Sequence, residues 1–245
     1  HYAGVACDMD PILALAHSRD LKIIEDAAHG MLASYKSKPL GTIGDLGTLS
    51  FHETKNIISG EGGALLIRDD NLRNRADIIR DKGTNRKAFL RGEVNKYDWI
   101  DIGSSYLPSE LVAAFLWAQL EEANEITRRR LAIWERYHQA FADLEADGHC
   151  RRPVIPDDCT HNAHMYYLLL PSLEERSAFI SYLKAQGIHA VFHYVPLHSS
   201  PQGSRVGRVS GKISNTNALS SRLVRLPLWL GLEEHQHQVI DKVRD

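Results

Sequence analysis

The chain has 245 residues, 43% of them hydrophobic, with 29 Lys and Arg against 31 Asp and Glu for a formal charge of -2. That length supports a sizeable core in one large domain or two smaller ones, and the apolar share is that of a soluble globular protein. The balanced charge argues against any general attraction to nucleic acid, and no apolar run approaches the ~18 residues of a membrane span.

No secretory signal is visible. Cys7, Cys150 and Cys159 are odd in number and form no C-x-x-C pair, which fits free thiols in a reducing cytosol. A cytoplasmic protein is therefore expected. In chain order, Asp10 is placed to cap a helix with Pro11 at its first position. Met9, Ile12, Leu13 and Ala16 give that helix one apolar stripe. Residues 21–24 read as a strand, and a helix joined tightly to a strand is half of a crossover unit in a parallel sheet. Gly41, Gly44 and Gly47 then punctuate a loop. They lack the lysine and hydroxyl of a P-loop and the order of G-x-G-x-x-G, so no nucleotide cradle is expected.

Residues 46–51 and 64–67 read as two short buried strands. Between them lie Ser50-Phe51-His52-Glu53-Thr54-Lys55-Asn56 and the glycine turn Gly60-Glu61-Gly62-Gly63. Residues 69–82 predict a helix whose apolar content is Leu72, Ile78 and Ile79, and 82–101 a charged surface loop. Pro108 and Ser109 open a long helical tract to Gly148, expected to bend near Glu121 to Asn124, where polar residues cluster. The domain boundary is placed there, giving 1–123 and 124–245. In the second part, 165–170 reads as a strand, 174–186 as a helix with Gly187 past its end, and 189–194 as a strand. Residues 199–214 read as a basic Gly/Ser loop, and 217–223 and 233–243 as helices. This order predicts a small α/β domain.

Two side chains carry the candidate chemistry. Lys55 follows one predicted strand and Asp26 another, and loops at strand ends are where α/β sheets bind ligands. A free lysine has a pKa of ~10.4, so roughly one in a few thousand is an unprotonated amine at neutral pH. A nucleophilic lysine must be desolvated or already joined to an aldehyde as a Schiff base. The plain alternatives are a solvated lysine and an aspartate capping a turn. Glu25 competes with Asp26, but one residue earlier on a strand it faces the opposite side.

Glu25-Asp26-Ala27-Ala28-His29, the Ser50 to Asn56 stretch and Gly60-Glu61-Gly62-Gly63 resemble the DegT/DnrJ/EryC1/StrS family of pyridoxal-phosphate sugar aminotransferases. Asp101-Ile102-Gly103-Ser104-Ser105-Tyr106-Leu107 and Phe192-His193-Tyr194-Val195-Pro196-Leu197-His198 resemble its branch that forms dTDP-4-amino-4,6-dideoxygalactose for surface glycans such as enterobacterial common antigen and lipopolysaccharide. The resemblance spans nearly the whole chain. It implies an α/β, type I pyridoxal-phosphate transferase fold: the later part of a large domain with a mostly parallel sheet, then a smaller C-terminal domain. It implies pyridoxal 5′-phosphate as cofactor, with Lys55 as Schiff-base lysine and proton shuttle and Asp26 as partner of the ring nitrogen, making the ring an electron sink. Ala28 would pack on the ring, and His29 stands where the family usually has glutamine. Ser50 would bind the phosphate, and Ser105 would reach a phosphate across a dimer interface. His193 and His198 would border the nucleotide-sugar site.

The implied reaction moves an amino group from L-glutamate to C4 of dTDP-4-dehydro-6-deoxyglucose in a cytoplasmic homodimer with shared sites. Sugar dehydration on the same scaffold is the competing chemistry, and Lys55 speaks against it because that branch carries histidine there. The family's N-terminal segment, with its phosphate contacts and stacking aromatic ring, has no counterpart, so a piece of a longer chain, or an inert fragment, is the other expectation. Cys159, His161 and His164 match no zinc spacing, and no metal is expected. His235 and His237 fall on a polar helix and are expected to be solvated.

Overall fold

A computed structural model describes residues 1–245. They form two compact units, His1–Thr127 with Pro156–Asn162, and Arg128–Ile155 with Ala163–Asp245.

The first unit opens with α1 (Met9–Ser18). The helix starts one residue before Asp10, so Asp10 and Pro11 occupy its first turn, where an acid suits the helix dipole and proline needs no N–H partner. The strand expected at 21–24 forms later, as β1 (Ile24–Asp26). The cause is local. Asp45 accepts from the Ile23 N–H at 2.8 Å, so that donor is taken by a side chain, while the Ile23 carbonyl still accepts from the Leu46 N–H at 3.1 Å. The chain continues through β2 (Ser34–Tyr35), β3 (Lys38–Pro39), β4 (Leu46–Ser50) and β5 (Gly63–Ile67). One sheet has the order β1-β4-β5, with β1 and β4 parallel and β4 and β5 antiparallel.

Burial alternates along β1: Ile24 exposed, Glu25 buried, Asp26 exposed. The Glu25 carboxylate accepts backbone N–H bonds from Gly41 (2.9 Å), Ile43 (2.6 Å) and Gly44 (2.5 Å). It also meets His1 Nε2 at 2.8 Å. His1 Nδ1 accepts from the Cys7 N–H at 3.1 Å, so the neutral ring carries its proton on Nε2 and donates it to Glu25. The three glycines of this stretch thus shape a turn wrapped round a buried acid. A Cβ at Gly47 would fall 2.0 Å from the Gly41 carbonyl oxygen, so β4 lies backbone-to-backbone on that turn. Met9, Ala27, Ala33, Tyr35, Leu40 and Ile43 form the apolar cluster beneath.

After β5 come α2 (Arg73–Arg80), α3 (Arg86–Leu90) within the stretch expected to be a loop, α4 (Glu110–Glu121), α5 (Ala123–Ala140) and α6 (Ala142–Ala146). The Ser109 hydroxyl accepts from the Val112 N–H and caps α4. The long tract breaks at Glu122, within the predicted bend. α4 has no buried residue, and Leu111, Phe115 and Trp117 stand exposed. Strand β6 (Cys159–Thr160) then joins β2 in a sheet of order β3-β2-β6.

The second unit holds β7 (Tyr166–Leu169), α7 (Leu173–Ala185), β8 (Val191–Phe192), α8 (Pro201–Val206), α9 (Ser214–Arg222), β9 (Leu223–Leu226) and α10 (Gln236–Arg244). Its antiparallel sheet has the order β7-β9-β8. The helix expected at 217–223 begins earlier and gives way to β9. Val224 and Leu226 alternate inward there, as the central strand of a sheet requires. Tyr137, Phe141, Tyr166, Leu168, Leu183 and Val224 fill the core. No helix of the chain is long and apolar enough to cross a membrane.

Candidate active site

Parallel pairing puts the C-terminal ends of β1 and β4 at the same edge. Asp26 closes β1, Ser50 closes β4, and Asp26 lies opposite Thr48. The side-chain period of two then sets Asp26, Thr48 and Ser50 on one face of the sheet. Beyond Ser50 the chain makes a tight loop before returning as β5. Phe51 N–H donates to Gly62 O (2.9 Å), Glu53 N–H to Gly60 O (2.9 Å), Lys55 N–H to His52 O (2.9 Å) and Ser59 N–H to Phe51 O (2.7 Å). Phe51 and Ile57 are buried beneath it. The loop carrying Lys55 is therefore pinned at both ends.

Lys55 is half-buried. Burial lowers its amine below the ordinary lysine range, and the charge of Asp26 acts in the opposite sense. The charge of Asp26 is thus felt at the Lys55 amine. Asp26 Oδ1 accepts from the Ala28 N–H at 3.1 Å, which holds the carboxylate over the turn while it stays exposed. Ala28 and His29 are half-buried. His29 Nδ1 accepts from the Ala3 N–H at 3.3 Å, and the Tyr2 ring meets the imidazole edge-on at 5.1 Å. In its neutral form His29 thus carries its proton on Nε2. The Ser50 hydroxyl accepts from the His52 N–H at 3.4 Å.

Ser105 sits elsewhere in the first unit, exposed, on a segment bridged to Asp81. His193 and His198 belong to the second unit. His193 is half-buried, and burial together with the Arg225 charge pushes its ring down to about 4. His198 Nε2 meets Asn217 Oδ1 at 2.8 Å. No group of three or more His, Cys, Asp or Glu side chains is arranged to hold a metal ion. Sequence reasoning singled out neither Thr48 nor Asn162, and named Asn56 only within the Ser50 to Asn56 stretch. Thr48 lies two residues before Ser50 and was findable by strand period. Asn162 hydrogen-bonds across 133 residues to the His29 carbonyl, a contact no local pattern carries.

The profile of the DegT/DnrJ/EryC1/StrS aminotransferase family matches residues 1–244. The chain belongs to this family. It is 35% identical over 237 residues to the uncharacterized protein MJ1066 of Methanocaldococcus jannaschii, covering 94% of this chain and 60% of that one. It is 32% identical over 244 residues to the GDP-perosamine synthase of Caulobacter vibrioides, covering 96% and 61%. The aminotransferase TlmJ of Streptoalloteichus hindustanus superposes with a TM-score of 0.86 at 26% identity, covering 100% and 63%. The chain thus spans about three fifths of the length of these relatives. Its fold is that of the type I pyridoxal-phosphate-dependent transferases, and the family's aminotransferases work with that cofactor.

Proposed function

We propose that the chain carries the cofactor-holding part of a nucleotide-sugar aminotransferase that uses pyridoxal 5′-phosphate. The observation that carries this reading is a half-buried amine, Lys55, held below its ordinary pKa within the field of Asp26 at the shared ends of two parallel strands. The donor set fits the cofactor: an amine for its aldehyde, a carboxylate for its ring nitrogen, a hydroxyl for its phosphate and a small Ala28 beside them. When bound, the cofactor supplies an electron sink that allows an amino group to be exchanged for a keto oxygen.

Lys55 would hold the cofactor through Nζ and, when released, carry a proton to and from the substrate carbon. Its lowered pKa suits both tasks, because a larger share of the amine is neutral. Asp26 would keep the ring nitrogen protonated, with the Ala28 N–H fixing its carboxylate. His29 offers an N–H from Nε2, and Ser50 a hydroxyl for the phosphate. Ser105 is assigned to a phosphate of the partner's site in a homodimer, and His193 and His198 to the rim of the nucleotide-sugar site.

The substrate we assign is dTDP-4-dehydro-6-deoxyglucose, with L-glutamate as donor, in the cytoplasmic synthesis of surface-glycan precursors. The name of the 32%-identical relative, a GDP-perosamine synthase, supports the nucleotide-sugar class. The test is uptake of cofactor by the purified protein. A visible absorbance band, trapped by borohydride and mapped to Lys55, is expected, and Lys55→Ala should abolish it. A band that survives Lys55→Ala would refute the assignment. Incubation with 4-keto and 3-keto sugar nucleotides then decides the position of amination.

A further inference from the structure

Asn162 ends the Pro156–Asn162 segment of the first unit and is 1% exposed. Its amide Nδ2 donates to two main-chain carbonyls, those of His29 and Met31, each at 2.7 Å. Its own main-chain carbonyl accepts from Asn56 Nδ2, also at 2.7 Å. Asn56 is buried and adjoins Lys55. His29 lies three residues past Asp26, on the turn that leaves β1. One buried residue therefore holds both segments of the candidate active site, the acid's turn by its side chain and the lysine's loop by its backbone.

The amide has only one usable orientation. Two carbonyl oxygens face Nδ2, and a flipped amide or a carboxylate would set oxygen against oxygen. Gly4, at φ +82°, closes the other side, where an added Cβ would fall 2.0 Å from Asn162 Oδ1. That Oδ1 is buried and makes no hydrogen bond. Burying an unpaired acceptor is unfavourable, so the stabilising contribution of this side chain comes from the two bonds its amide NH2 donates.

We propose that Asn162 is a positioning residue of the active site: it locks the turn after Asp26 and the loop of Lys55 into one register, keeping the amine half-buried beside the acid. The proposal rests on the reading of Lys55 and Asp26 as the cofactor-holding pair. An asparagine that only satisfied the 29–31 turn would change stability and leave Lys55 untouched.

The test uses the full chain and its variants Asn162→Ala, Asn162→Asp and Asn56→Ala. The first readout needs no cofactor. The rate of acetylation of Lys55 by acetic anhydride is followed against pH by peptide mass spectrometry, with the exposed Lys212 as internal reference. In the unmodified chain Lys55 is expected to titrate below Lys212. In variants that keep the unmodified circular dichroism spectrum, the Lys55 midpoint should rise towards that of Lys212. Its relative rate at a fixed lower pH should fall by about tenfold for each unit of rise. The second readout is borohydride trapping of pyridoxal phosphate on Lys55, expected to fall in parallel. Folded variants whose Lys55 titrates as in the unmodified chain would overturn the proposal. So would an unmodified chain in which Lys55 titrates with Lys212. If both Asn162 variants fail to fold, Asn56→Ala decides by the same criterion, because it removes the loop's bond to the Asn162 carbonyl while leaving the Asn162 side chain in place. Loss of trapping in the unmodified chain itself would sink the cofactor reading while leaving the acetylation result to judge the lock.

Discussion

Glu25 and Asp26 are neighbours with opposite duties. Glu25 points inward and gathers three backbone N–H groups and a histidine, whereas Asp26 is exposed and its charge is felt at Lys55. Glu25→Ala would leave three buried donors unpaired, at about 1–3 kcal/mol each, so urea denaturation should show a loss of at least about 3 kcal/mol. Asp26→Asn should leave the denaturation midpoint nearly unchanged. It should cut turnover by about 10–100-fold, the equivalent of a charge-assisted hydrogen bond of about 1.5–3 kcal/mol, as measured by initial rates with a keto-sugar nucleotide. His193 gives a pH prediction. Its ring falls from an ordinary 6.5 to about 4, so between those values the unfolded chain holds the extra proton. Stability should therefore rise as pH climbs through that window and be lost on the way down, and His193→Asn should flatten the dependence. The opposite facing of the two acids was legible from strand period alone. The partners of Glu25 were not, because they lie 16 to 19 residues away on a turn that only the fold closes.

At the scale of elements, the candidate site depends on the parallel pairing of β1 and β4, which brings their C-terminal ends to one edge. A tight joint lies at Gly47, where a Cβ would meet the Gly41 carbonyl at 2.0 Å. Gly47→Ala should destabilise by about 1–3 kcal/mol, as overpacking does, read as a lowered thermal midpoint. It should also weaken cofactor retention, because the displaced strand bears Ser50. β4, β5, the break at Glu122 and α7 could all be read in advance, since each carries its own periodicity or cap. The two-residue strands β2, β3 and β6 could not, because only a partner's backbone defines them. β1 was displaced because one carboxylate, Asp45, took the N–H that would have begun the ladder earlier.

At the scale of the whole molecule, a near-neutral charge accompanies a large uncovered apolar surface. Helix α4 buries none of its residues, and Leu111 and Phe115, one turn apart, are 84% and 52% exposed. Contiguous apolar patches of this kind mark association surfaces. The chain is expected to self-associate as its concentration rises, followed by sedimentation velocity, and Leu111→Glu with Phe115→Glu should reduce that association. The family resemblance implies a homodimer, whereas composition carries no signal of association, since the apolar fraction is ordinary and only the fold shows which residues stay outside.

The polypeptide passes from the first unit to the second at Thr127, returns for Pro156–Asn162 and leaves again. That brief return brings β6 and Asn162. Genetic exchange of the second unit between relatives at a single joint would therefore carry off a strand and a keystone belonging to the first. A chimaera that exchanges the second unit intact needs three joints, after Thr127, Ile155 and Asn162.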